Sequence, residues 1–299
     1  MAATDAGLDA IARDDGTFAI VAMDQRNTLR RMMTAVDGPT DDASLRDFKQ
    51  DIVTPLFELA SGILLDPDIG IPAITEVDRQ DCGVLVAAEP EKKETYEGEP
   101  RATRSPALDA AWVQDLGGDA LKFLVQLRAD RPRAEGSPDL VQELVEVVGA
   151  IVADCRATGV PSVIENLIYK LPGEAELSPE QRSDAIIGAA AALDGLGCDL
   201  LKLEYPGSPE ACRRLAETIE TPWAVLSAGV AFDQFQDVLR ISCDEGGASG
   251  FIAGRAIWKD AVGMDRGERR AFMATTGQER LAGCIAAIDG RARPWRDAR

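Results

Sequence analysis

The 299-residue chain contains no histidine. That absence removes Ser-His-Asp and Cys-His nucleophile systems, histidine-bearing zinc sites and the imidazole general base. Proton transfer must then fall to carboxylates, lysine, tyrosine, cysteine or water. The six cysteines (Cys82, Cys155, Cys198, Cys212, Cys243 and Cys284) form no Cys-x-x-Cys pair, which argues against a metal knuckle or redox motif and for small buried residues in a reducing compartment. No apolar run reaches the roughly 18 residues that span a bilayer. The start, Met1-Ala2-Ala3-Thr4-Asp5, lacks a basic segment followed by an apolar one, so a cytoplasmic location is expected. Aromatic residues are only 5% against 45% hydrophobic overall, which leaves the core to Ala, Val, Leu and Ile. Positive charge is scarce too. The net charge of −19 repels nucleic acid and anionic membranes, and neither is expected as a partner. The basic residues divide into 7 lysines and 25 arginines, a bias that fits either GC-rich coding or a salt-adapted source.

With so few lysines, their positions matter. Lys202 lies inside Cys198-Asp199-Leu200-Leu201-Lys202-Leu203-Glu204, and Lys122 inside Asp119-Ala120-Leu121-Lys122-Phe123-Leu124-Val125. Both runs read as buried strands, and period two turns each lysine the same way as its apolar neighbours. Lysine is rarely buried without a partner or a task. A desolvated amine near a second cation suits imine formation, because both influences favour the neutral nucleophile. The pattern points to covalent carbonyl chemistry.

Short β-rich runs alternate with longer helical patterns along the whole chain, the signature of βα units around a parallel sheet. Eight strands are predicted: 18–23, 62–65, 83–87, 120–124, 162–165, 200–204, 223–226 and 250–253. Ser137-Pro138, Ser178-Pro179 and Ser208-Pro209 open helices over 138–157, 179–194 and 209–219. Eight such strands favour a single (β/α)8 TIM barrel over 1–299, with a doubly wound sheet as the alternative. The polar insertion 89–100 is expected to be a mobile, mainly solvated loop at one barrel mouth, and the basic tail 291–299 to fray.

A barrel builds its site at the carboxyl ends of its strands. Asp24 and Gln25 follow the first strand, Lys122 lies in the fourth, Glu165 ends the fifth, Lys202 lies in the sixth, Ser227-Ala228-Gly229 follow the seventh and Gly254-Arg255 the eighth. Plainer roles compete: Lys202 as half of an ion pair with Glu204 or Glu165, Lys122 as structural support, Glu165 as a satisfied edge carboxylate, Asp24 as a helix cap. The small-residue turns at Ser227, Gly229 and Gly254, with the Arg255 guanidinium, form a candidate anion site.

These segments, in order, are Ala22-Met23-Asp24-Gln25-Arg26 with Leu29-Arg30-Arg31-Met32-Met33, Leu64-Leu65-Asp66-Pro67, Ala120-Leu121-Lys122-Phe123-Leu124, the strand-ending Glu165, Asp199-Leu200-Leu201-Lys202-Leu203-Glu204, Leu226-Ser227-Ala228-Gly229-Val230 and Gly250-Phe251-Ile252-Ala253-Gly254-Arg255-Ala256-Ile257-Trp258. They resemble the class I aldolases, the Schiff-base family that includes tagatose-1,6-bisphosphate aldolase and 6-deoxy-6-sulfofructose-1-phosphate aldolase.

The resemblance implies Lys202 as the imine-forming residue, Glu165 in proton transfer, and Asp24 and Lys122 assisting. Gln25, Ser227, Gly229, Gly254 and Arg255 would bind substrate. Glu165-Asn166 departs from the Glu-Pro of the sulfosugar branch, while the short stretch from Glu165 to Lys202 resembles it. Leu65-Asp66-Pro67 and the Glu-Lys-Lys-Glu-Thr-Tyr stretch look more like the bisphosphate branch. The expected activity is retro-aldol cleavage of a ketose 1-phosphate, with no metal or cofactor, by a homo-oligomer. Deoxyribose-phosphate aldolase-like or transaldolase-like imine chemistry and a non-catalytic sugar-phosphate sensor are the alternatives.

Overall fold

The computed structural model describes residues 7–133 and 135–298. Its strands are β1 (Phe18–Met23), β2 (Gly62–Leu65), β3 (Gly83–Ala87), β4 (Glu94–Tyr96), β5 (Glu99–Arg101), β6 (Ala120–Val125), β7 (Ser162–Asn166), β8 (Leu200–Leu203), β9 (Trp223–Val225) and β10 (Gly250–Ala253). All but β4 and β5 close into a parallel barrel in the order β1-β10-β9-β8-β7-β6-β3-β2. These are the eight strands expected; four of them end one residue away from the expected position.

The surrounding helices are α1 (Asn27–Thr34), α2 (Asp42–Val53), α3 (Gly70–Ile74), α4 (Ala110–Asp115), α5 (Leu140–Thr158), α6 (Pro179–Asp194), α7 (Pro209–Thr218), α8 (Phe232–Gly246), α9 (Arg255–Trp258), α10 (Arg266–Phe272) and α11 (Gln278–Ile288). Ser178 and Gln181 form a capping box on α6, and the Ser208 side chain caps α7. The α5 start is corrected: Asp139, not Ser137, accepts from the Gln142 N–H, so the helix begins at Leu140. None of the described helices is long and apolar enough to cross a membrane.

Period two sorts the strand residues. Phe18, Ile20, Ala22, Leu64, Leu85, Ala87, Ala120, Val163, Leu200, Ala224 and Ile252 fill the barrel interior. The alternating set, such as Ala19, Val21, Ile63, Leu121, Ile164 and Leu201, packs outward against the helices. A 3₁₀ turn over Leu8–Ile11 places Leu8 and Ile11 in the floor of the barrel, with Trp295 packed against the same cluster. The tail expected to fray is therefore partly tied down: Trp295 N–H donates to the Gly16 carbonyl at 2.9 Å. All six cysteines are buried and free, and burial pushes each thiol up to about 12.

Within the insertion 89–100, β4 and β5 pair antiparallel, joined by Glu97 (φ 50°) and Gly98 (φ 88°). Two successive positive φ values make a type I′ turn, whose twist suits a two-residue hairpin. Glu99 is only 8% exposed and accepts from Arg131 Nε at 2.7 Å and Tyr169 Oη at 3.0 Å, so this end of the insertion is packed rather than solvated.

Candidate active site

Above the aliphatic floor the barrel interior turns polar. Parallel register sets Glu165 of β7 directly beside Lys202 of β8 and beside Leu124 of β6. Lys122, two residues before Leu124 on the same face, stands one layer lower. Asp24 continues the inward series of Ile20 and Ala22 two residues on, and Glu89 continues that of Leu85 and Ala87 in the same way.

These side chains meet. Lys202 Nζ lies 3.0 Å from Glu165 Oε1, while Lys122 Nζ lies 2.8 Å from Glu165 Oε2. One carboxylate thus bridges two lysines, both under 5% exposed. Lys122 Nζ also lies 2.9 Å from Asp24 Oδ2 and 2.9 Å from Glu89 Oε1. All three ammonium protons of Lys122 have carboxylate acceptors, two from the segments just after β1 and β3 and one from β7.

Burial opposes charge on Lys122, Glu165 and Asp24, yet the pairing wins. Lys122 is held well above the usual ammonium range: desolvation pulls it down, and Asp24, Glu165 and Glu89 together outweigh that. Glu165 is lowered, with desolvation opposed chiefly by Lys122 and Lys202. Asp24 is likewise lowered, against desolvation, by the same two lysines. The result is an ionised Asp24 and Glu165 around a permanent Lys122 cation.

The Asp24 cap alternative is not what forms: the carboxylate binds Lys122, and α1 starts at Asn27, with Arg26 at its N-cap position and no side-chain cap. Of the two ion-pair partners considered for Lys202, Glu165 is the one found. Glu204 instead pairs with Arg182 of α6 and accepts from the Ile168 N–H at 2.7 Å.

A cleft of about 800 Å³ opens over this cluster at the carboxyl ends of the strands. Asp24, Gln25, Lys122, Glu165, Lys202, Ser227, Gly254 and Arg255 all line it. Gln25 donates through Nε2 to Asp24 Oδ1 at 3.1 Å, and its buried Oε1 has no hydrogen-bond partner among the described residues. A hydroxyl donor in the cleft would satisfy it. Gly229 plays a different part. At φ 82°, after Ala228 at φ 48°, it stands beside Arg255, and a Cβ there would come 3.3 Å from the guanidinium carbon. A Cβ on Gly254 would stand 2.1 Å from the Ala22 carbonyl oxygen, so the turn carrying Arg255 can close on β1 only without a side chain.

Sequence reading missed Glu89, Arg182 and the buried pair of Lys49 with Asp66. The alternation that found Asp24 past Ala22 would also have found Glu89 past Ala87. It was overlooked because it opens a charged stretch that reads as solvent-facing.

A family model for the DeoC/LacD family aldolases matches residues 18–260. The chain is 28% identical to tagatose 1,6-diphosphate aldolase of Listeria innocua, covering 97% of this chain and 92% of the relative. It is likewise 28% identical to tagatose 1,6-diphosphate aldolase 2 of Streptococcus pyogenes, covering 94% and 93%. Among solved structures, a Schiff-base-forming fructose-1,6-bisphosphate aldolase superposes with a TM-score of 0.62 at 16% identity, over 95% of this chain and 98% of that one. An archaeal fructose-1,6-bisphosphate aldolase superposes with a TM-score of 0.63 at 16% identity, over 93% and 97%. At that identity these two speak for the barrel alone. The family match, spanning all eight barrel strands, carries the assignment: the chain belongs to the DeoC/LacD aldolase family and is an aldolase, a carbon–carbon lyase.

Proposed function

We propose that the protein is a class I aldolase that cleaves a ketose 1-phosphate through an imine on Lys202. The observation that carries this reading is Glu165 bridging Lys202 and Lys122, at 3.0 and 2.8 Å. The neutral Lys202 amine attacks the C2 ketone, and loss of water gives an iminium that acts as the electron sink. Glu165 takes the proton of the C4 hydroxyl, the C3–C4 bond breaks, and its electron pair moves into an enamine as the aldehyde leaves. Protonation at C3 and hydrolysis then release dihydroxyacetone phosphate and free Lys202. Lys122 and Asp24 position the substrate hydroxyls. Ser227, Gly254 and Arg255 hold the 1-phosphate, with Gly229 leaving room for the guanidinium.

The names of the sequence relatives favour tagatose 1,6-bisphosphate, giving glyceraldehyde 3-phosphate as the aldehyde. Fructose 1,6-bisphosphate and 6-deoxy-6-sulfofructose 1-phosphate belong in the same assay panel. The family model also spans DeoC-type enzymes, so deoxyribose 5-phosphate is the contrasting substrate. Borohydride reduction with dihydroxyacetone phosphate should attach three carbons to Lys202, located by peptide mass mapping. Lys202→Met should lose both adduct and cleavage while remaining folded. An active Lys202→Met protein would overturn the mechanism; cleavage of deoxyribose 5-phosphate alone would move the substrate class; binding without turnover across the panel would favour a sensor.

A further inference from the structure

Lys49 of α2 and Asp66, just beyond β2, are both fully buried and paired to each other, outside the cleft. Desolvating a lysine at a helix–strand joint is costly, and an aliphatic residue would fill the space more cheaply. The three acceptors around Lys49 Nζ suggest its use. Besides Asp66, it donates to the Met23 carbonyl at 2.8 Å and to the Gln25 carbonyl at 3.0 Å. These are the carbonyls on either side of Asp24. Asp66 is itself fixed, its carboxylate accepting from the Ile69 N–H at 2.9 Å and the Gly70 N–H at 3.2 Å at the start of α3.

We propose that Lys49 is a positioning residue that clamps the turn after β1 and so aims the Asp24 carboxylate at Lys122. With the carbonyls before and after Asp24 tied to one ammonium, the turn cannot pivot without breaking both hydrogen bonds, the one to Met23 buried and the one to Gln25 partly buried. The Asp24 side chain leaves this anchored segment to meet Lys122 Nζ at 2.9 Å and the Gln25 amide at 3.1 Å. A displacement of about 1 Å in a site residue is enough to cost on the order of 100-fold in rate. Lys49 lines no part of the cleft, so its effect passes through Asp24. The inference rests on Asp24 serving the reaction proposed above.

The test is a double-mutant cycle on cleavage of tagatose 1,6-bisphosphate, or whichever panel substrate is turned over, under single-turnover conditions that reach slow rates. Lys49→Met with Asp66→Asn removes the clamp without leaving a buried unpaired charge. Thermal melting checks that the protein is folded. The clamp predicts at least a tenfold loss of rate in the parent enzyme but less than twofold in an Asp24→Asn background, because the group it aims is already gone. An equal loss in both backgrounds, or none in the parent, overturns the clamp alone. Full activity in Asp24→Asn overturns both the role of Asp24 and the clamp. Should the paired variant fail to fold, Lys49→Gln with Asp66→Asn, which also leaves no buried charge, takes its place in the same cycle, and an equal loss in both backgrounds, or none in the parent, again overturns the clamp.

Discussion

Replacing Glu165 with Gln keeps the shape of the bridging side chain and removes its charge and its basicity. The 2.8 Å contact with the Lys122 ammonium supplies about 6 kcal/mol of direct attraction at an effective dielectric constant near 20. Burying the carboxylate offsets much of this, and removing one member of a buried charge pair typically costs a net ~3–5 kcal/mol. A domain with the usual ~5–15 kcal/mol of stability tolerates such a loss at room temperature, with a lower melting point. The kinetic effect is separable. Loss of a positioned general base costs roughly 100- to 10,000-fold in turnover, or ~3–5 kcal/mol of barrier. Two assays on folded Glu165→Gln protein decide the matter: kcat for ketose cleavage, and borohydride trapping with dihydroxyacetone phosphate. Turnover should collapse while the Lys202 adduct persists, since the amine is still present. A folded variant with a lower melting point and kcat within threefold of the parent would refute the proton-transfer role and leave a purely structural bridge.

Arg255→Ala should raise KM for phosphorylated ketoses by roughly 10- to 100-fold with kcat little changed, because a charge-assisted hydrogen bond is worth about 1.5–3 kcal/mol; steady-state kinetics check this, and an unchanged KM would remove Arg255 from the anion site. Asp24 and Glu165 have lowered native pKa values, so the stability they contribute is complete above the unfolded carboxylate pKa of about 4 and is lost as pH falls through their native values. Urea melts at pH 3 and pH 7 should therefore differ less in Glu165→Gln than in the parent; an equal or larger difference would contradict the assigned direction.

The barrel was legible because each strand is a short run of aliphatic residues bounded by caps, prolines and glycines, a local property. Lys122, Glu165 and Lys202 were legible for a related reason: a charge on the apolar face of a strand is conspicuous. Glu89 was masked, since its neighbours Pro90, Glu91, Lys92 and Lys93 are those of a surface loop and outweigh the alternation that carries it past Ala87 to Lys122. Lys49 was hidden among Asp47, Gln50 and Asp51 on α2, where one more charged residue carries no signal. The hairpin of β4 and β5 escaped because its turn is Glu97-Gly98 instead of the Asn-Gly or Asp-Gly that advertises a type I′ geometry.

The six sequestered thiols have a practical consequence. At neutral pH almost none of their sulfur is present as thiolate, the form that alkylating reagents attack. A single cysteine introduced on the outer face of α6 would therefore take a maleimide fluorophore selectively in the otherwise unaltered enzyme. Dye chemistry, which normally begins by stripping out native cysteines, can here leave every one of them in place.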